Sequence, residues 1–203
     1  MEAGRRLRRT GAIAAAILAV LAASPVVRAD PQARDLSLEN LDGTPVRPFS
    51  MAARAWVFVF TRTDCPIAAR YAPELQRLER RAVAAHVAFH LVFVDPAETA
   101  ATVRTYLHDY GYGDRALRDP GHRLVRLAGA TATPEAAVFL PSSDGLVLVY
   151  TGRIDDRYAD IGHMRPAPTK HDLDEVLTAV AQGQRLEPRS TPAFGCLIAD
   201  VTR

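Results

Sequence analysis

Two cysteines, Cys65 and Cys196, are the only thiols in the 203-residue chain, and the first stands where a sulfur becomes reactive. Ahead of it runs Trp56-Val57-Phe58-Val59-Phe60, an apolar, β-branched and aromatic stretch that reads as a buried strand. A short loop follows, then Cys65-Pro66, then Ile67, Tyr71, Leu75, Leu78 and Ala82 at helical spacing. Proline suits the first turn of a helix, where its missing N–H would have had no partner. The pattern therefore predicts Cys65 at the carboxyl end of a strand and at the head of a helix. A thiolate is stabilised there, and its pKa can fall from ~8.5 into the range ~3.5–7.5. Arg62 and Arg70 favour the thiolate and Asp64 opposes it.

A nucleophilic cysteine attacks a disulfide or a peroxide, giving a mixed disulfide or a sulfenic acid. Either product needs a second thiol to clear it. Cys196, 131 positions downstream, is the one internal candidate. Gly195 beside it gives backbone freedom, and the segment 184–203 carries few ordering signals. The same two cysteines also fit a permanent staple pinning the tail, worth up to ~5 kcal/mol for so long a loop, or two independent thiols. The helix-start position favours the reactive reading, because a staple does not need it. The separation leaves no local metal-knuckle or haem-attachment spacing, and no metal or organic cofactor is implied.

The elements that must position these thiols are legible in outline. Arg5, Arg6, Arg8 and Arg9, then Ala12–Ala23, then Val27-Arg28-Ala29 read as a signal peptide over 1–29. Its apolar run is shorter than the ~20 residues that span a bilayer; an uncleaved anchor is the alternative. Export predicts a periplasmic or secreted location, where an even cysteine count suggests a bridge. The net charge of +2 owes itself to these arginines. Charges elsewhere are scattered and of both signs, which argues against a nucleic-acid surface. Residues 30–183 have the size of one domain, and 184–203 form a tail carrying Cys196.

Within the domain, Leu36, Leu38, Leu41, Asp42-Gly43 and Val46 predict a hairpin. Strand Trp56–Phe60 and helix Pro66–Ala84 follow, with Pro73 inside that helix kinking the chain or opening a turn. Ala88–Asp95 is a second buried strand, Glu98–Tyr110 an amphipathic helix, Ala116–Arg118 a brief strand and His122–Leu127 a short helix capped by Asp119. Glu135–Leu140 and Leu146–Tyr150 make a hairpin across Asp144-Gly145. Gly152–Pro168 reads as an irregular polar loop, and His171–Gln182 as a helix ending at Gly183. In Gly152–Lys170, Arg153, Asp155, Asp156 and Arg157 suit a solvated loop with weak ion pairs. The alternative is a charged network near the reactive loop. His90, inside an apolar strand, reads as a core histidine. This order predicts an α/β three-layer sandwich around a mixed sheet, with an added N-terminal hairpin.

These pieces resemble the thioredoxin fold, and within it the redoxin branch of AhpC/TSA- and TlpA-like proteins. The match rests on WVFVF followed by Cys65-Pro66, on Pro73 in the helix, on Thr133-Pro134 before a core strand, and on the leading LSLENLDGTPVRPFS. GRIDDRYADIGHMRPAPTKHDL and TPAFGCLI are similar to a group of exported bacterial redoxin-domain proteins. The resemblance spans Asp35–Ile198. It implies a cis peptide at Thr133-Pro134, with Thr133, Pro134, Pro66, Thr63 and Arg62 lining the substrate site. It also implies a partner that is an exported thiol or disulfide protein, or a small peroxide. The chain departs from the family at several places. Ala68 replaces the second cysteine of a CxxC, and Asp64 the usual preceding tryptophan. Arg62 and Phe58 stand where peroxiredoxins keep threonine and proline, leaving Thr63 or Thr61 to orient a peroxide. A copper site using His163 or His171 would lack its second nearby thiolate.

Overall fold

Trp56–Thr61 is wholly buried, and its alternation explains the architecture. Successive side chains of a strand face opposite sides of the sheet. Val57 and Val59 join one apolar cluster, and Trp56, Phe58 and Phe60 the other. The chain must therefore cover both faces of this strand, and it does so with helices and turns on either side. The computed structural model describes residues 31–113, 115–160 and 163–199; the expected signal peptide over 1–29 lies outside them.

In chain order, β1 (Leu38–Glu39) and β2 (Pro45–Val46) form the leading hairpin, with a Phe49-bearing 3-10 turn after it. The central strand β3 (Trp56–Thr61) leads into α1 (Pro66–Arg70), α2 (Ala72–Ala84) and β4 (Ala88–Phe93). Then come α3 (Ala100–Asp109), β5 (Leu117–Arg118), α4 (Arg123–Ala128) and β6 (Ala132–Thr133). The long hairpin β7 (Glu135–Ser142) and β8 (Gly145–Gly152) follows, and a small ribbon, β9 (Tyr158–Asp160) with β10 (His163–Met164). Helix α5 (Asp172–Ala181), β11 (Arg189–Ser190) and β12 (Cys196–Leu197) complete the described chain. Among the described residues the main sheet has the order β11-β8-β7-β3-β4-β5-β1-β2. It is mixed, since β3 runs parallel to β4 and antiparallel to β7.

Side chains of α2, α3 and α5 (Leu75, Leu78, Tyr106, Leu107, Leu173, Val176) pack on one face with Val57 and Val59. Phe49, Leu124 and Val125 cover the other face with Phe58, Phe60 and Phe139. Phe49 meets Trp56, Phe58 and Phe139 edge to face at centroid distances of 5.6, 5.3 and 5.2 Å, the geometry aromatic quadrupoles favour. This is the expected three-layer α/β sandwich with its extra hairpin.

Three expectations need correction. The helix read as Pro66–Ala84 is two helices that part at Tyr71, because Pro73 in the first turn of α2 cannot donate back to the preceding turn. The loop after Gly152 contains the β9–β10 ribbon. The tail is also ordered: β11 pairs parallel with β8, and β12 pairs antiparallel with β6. Phe58→Ala should lower the unfolding free energy by ~3–5 kcal/mol, because a void replaces a fully buried ring. Leu197→Ala, at a side chain 75% exposed, should stay within ~0.5 kcal/mol. Urea denaturation checks both.

Candidate active site

The turn Arg62–Cys65 closes on a Cys65 N–H to Arg62 C=O bond of 3.4 Å. It delivers Cys65 as the N-cap of α1, with extended backbone and Pro66 in the first helical turn. The sulfur accepts the Ala68 N–H at 3.5 Å, a side-chain cap made by a thiol in place of the usual hydroxyl or carboxylate. Cys65 is fully buried. Across from it the Thr133–Pro134 peptide is cis, and the Cys65 thiol donates to the Thr133 carbonyl at 3.2 Å.

Cys196 arrives from the tail. In β12 its Cα lies opposite Thr133 of β6, and its S–H points to Cys65 Sγ at 2.8 Å. Both cysteines are free, and less than about 1 Å of approach separates this contact from the ~2.05 Å of a bond. The two thiols are inequivalent. For Cys65, burial opposes ionisation, but hydrogen bonds from Cys196, the Ala68 N–H and the Thr133 side chain outweigh it and hold the pKa below its ordinary 9.0. For Cys196, burial, donation to Cys65 and the charge of that neighbour push the pKa up to about 12. One sulfur is disposed to be the thiolate and the other to hold the proton.

The structure thus brings Cys65, Cys196, Pro66, Thr133 and Pro134 together. Arg62 is directed elsewhere: its guanidinium pairs with Asp64 and Asp95, each at 2.8 Å. Arg70 is exposed. The net direction, open in the sequence, is downward, and the causes that lower Cys65 are hydrogen bonds. Thr63 gives its backbone N–H to the Glu98 carboxylate, which supports the loop from below.

Sequence reasoning missed three supports of this site. Glu98 is buried under the cysteine loop, and burial raises its pKa; in the sequence it looked like an ordinary acid at a helix start. Glu135 accepts the Thr131 and Ala132 N–H groups at 2.8 and 3.1 Å, fixing the backbone of β6. A carboxylate opening the apolar run EAAVFL was the available signal. The third is the loop after Gly152, where a solvated surface was expected. Asp155 and Asp156 are buried instead. Asp155 accepts from the Tyr71 hydroxyl at the α1–α2 junction, and Arg157 stands 6.0 Å over that ring. Asp156 gathers Thr169 N–H, Thr169 O–H and Lys170 N–H. Asp155 and Arg157 thereby hold the end of the helix that carries Cys65, and Asp156 ties the loop to its own far end.

A family model for the AhpC/TSA family matches residues 29–149, more than half of the chain. The chain belongs to the AhpC/TSA family. Solved structures agree on the fold. A hypothetical protein from Sinorhizobium meliloti 1021 superposes with a TM-score of 0.67 at 23% identity, covering 80% of this chain and 89% of that one. An uncharacterized conserved protein from Geobacillus kaustophilus gives the same TM-score and identity, covering 80% and 87%. A secreted Mycobacterium tuberculosis disulfide oxidoreductase homologous to E. coli DsbE gives a TM-score of 0.51 at 16% identity, covering 75% and 99%. The comparison with curated protein sequences gives no match. This AhpC/TSA-family chain is a redoxin of thioredoxin-like fold, and the described residues include no helix long and apolar enough to cross a membrane.

The two thiols should titrate separately. Thiolate absorbance of the reduced protein should show one cysteine ionising below the ordinary 9.0 and the second near 12. Cys196→Ala removes the thiol hydrogen bond that lowers Cys65 and leaves much of its burial, so the first midpoint should rise. An unmoved midpoint would show that Cys196 does not set it.

Proposed function

We propose that this protein is an exported thiol-disulfide oxidoreductase in which Cys65 attacks and Cys196 resolves. The observation that carries the reading is the 2.8 Å contact between a thiol of lowered pKa and one of raised pKa. In the first step the Cys65 thiolate attacks one sulfur of a substrate disulfide. A new S–S bond forms to Cys65, the substrate S–S bond breaks, and the other substrate sulfur leaves as a thiolate that takes up a proton. Cys196 then gives up its proton and attacks Cys65 Sγ. The Cys65–Cys196 bond forms, and the second substrate thiol is released. The substrate gains two electrons, and the protein loses them.

The proton held on Cys196 keeps the resolving thiol quiet until it is needed. Once Cys65 is in a mixed disulfide, the neighbouring thiolate charge that raises Cys196 is gone, so its pKa falls and it becomes the attacking sulfur. A second exported thiol protein returns the electrons by the reverse exchange. The arginine-rich, then apolar, start of the sequence supports a periplasmic or secreted location, where such exchange has partners. The reaction requires no metal or organic cofactor.

Membership of the AhpC/TSA family favours a second reading, reduction of a small peroxide. There Cys65 takes one oxygen as a sulfenic acid and an alcohol or water leaves. Cys196 then condenses with the sulfenic acid, releasing water and forming the same bridge. A third reading, a stapled binding module without turnover, keeps the pair but not the exchange. Cys65→Ser should reduce both activities to background. Cys196→Ser should trap a mixed disulfide with a disulfide substrate, or a sulfenic acid with peroxide, each seen as its own mass increment on the Cys65 peptide. Wild-type turnover unaffected by Cys65→Ser would refute both catalytic readings.

A further inference from the structure

β12 lies along β6, at the Thr133-Pro134 segment expected to line the substrate site. Cys196 stands opposite Thr133 and Leu197 opposite Ala132 in antiparallel register. The Ile198 N–H donates to the Thr131 carbonyl at 2.9 Å, and the Thr133 hydroxyl to the Cys196 carbonyl at 3.4 Å. Ile198 is buried beside the aromatic side of the sheet, while Leu197 points outward. Cys65 is fully buried with this strand in place. A polypeptide disulfide and the tail would use the same backbone groups of residues 131–133, so they exclude one another.

The register also limits what can dock. A Cβ added at Gly195 would fall 1.9 Å from the Thr133 carbonyl oxygen and 2.6 Å from its carbon. Both are backbone atoms, so no side-chain rotation relieves the collision. That same oxygen accepts the Cys65 thiol, so moving it would disturb the reacting pair. Upstream the tail is fixed at Thr191, whose N–H donates to Thr151 C=O at 3.0 Å and whose hydroxyl contacts the Tyr150 hydroxyl at 2.7 Å. Beyond Thr191 it is held by the half-buried Phe194, the two-residue pairing and Ile198.

We infer that residues 195–198 occupy the groove along β6 as an internal competitor, and that the groove admits an extended polypeptide with glycine immediately before its cysteine and an aliphatic residue two positions after it. The inference rests on the reading that Cys65 exchanges disulfides with a strand docked at Thr133–Pro134. It makes the tail a lid hinged near Thr191. Each turnover on a polypeptide requires the lid to lift and then to return with Cys196.

The test measures shielding of Cys65, which needs no turnover. Reduced full-length protein is alkylated with iodoacetamide, and Cys65 labelling is followed by peptide mass at pH values high enough to reach the thiolate plateau. Gly195→Ala should raise the plateau rate about tenfold or more, in proportion to the open fraction, without loss of the folded circular dichroism signal. Ile198→Ser, which removes the buried anchor, should do the same, and Ala199→Ser, at an exposed position, should not. Added to the Gly195→Ala protein, the capped peptide Phe-Gly-Ser-Leu-Ile-Ala should restore shielding, and Phe-Ala-Ser-Leu-Ile-Ala should not. Wild-type shielding in both tail variants, or peptides that protect equally or not at all, would overturn the inference. Disulfide exchange is assayed separately on the same proteins. Shielding of the expected pattern without exchange would remove the oxidoreductase reading and leave the strand site standing. Exchange with unaltered shielding would do the reverse.

Discussion

The Thr133 carbonyl is the point on which the rest of the site depends. It accepts the Cys65 thiol at 3.2 Å, and its approach to the tail leaves room for nothing larger than glycine at position 195. Its position is set from behind by Glu135, which ties down the two preceding N–H groups. Burying that carboxylate is unfavourable, as its raised pKa shows, and the two N–H bonds offset much of the penalty. The apolar sheet provides the frame, while a few buried polar groups fix the atoms that matter.

The same economy appears on the other side of the cysteine. Burial alone would push the Cys65 thiol up. Its lowered pKa arises because hydrogen bonds from Cys196, the Ala68 N–H and the Thr133 side chain outweigh that burial. One of them comes from the thiol that later displaces the substrate. Activation and resolution are therefore coupled through a single contact, and the inequality of the two thiols follows from which one donates. The α1–α2 junction must hold Cys65 in that contact. Tyr71, gripped by Asp155 and covered by Arg157, is where the loop after Gly152 acts on it.

Much of this was legible in the residues. The run Trp56–Phe60, the Cys65-Pro66 helix start and the Asp144-Gly145 hairpin are local patterns, and local patterns survive into the fold because periodicity and turn chemistry determine them. The two stretches misjudged were those ordered by distant partners. The tail has no period of its own, since β12 is fixed by pairing with β6 and by Ile198 entering the core. Asp155 and Asp156 looked like surface charges because their partners, Tyr71 and Thr169-Lys170, are remote or irregular in sequence. Gly152 told the same story in reverse. It read as the start of a loop, yet its φ of 151° and the Thr191 atoms crowding it mark the place where the tail runs alongside the end of β8. Sequence spacing located the nucleophile, and long-range backbone pairing brought it a partner.

The central claim is that Cys65 and Cys196 form an exchangeable redox pair. It is tested most directly by mapping the thiol state of purified protein during equilibration with mixtures of a reduced and an oxidised dithiol. The account predicts two free thiols under mild reducing conditions, an intramolecular Cys65–Cys196 bridge as the mixture becomes oxidising, and full reversal on return. A bridge present from the start that resists mild dithiol reductants would make the pair a staple and contradict the account.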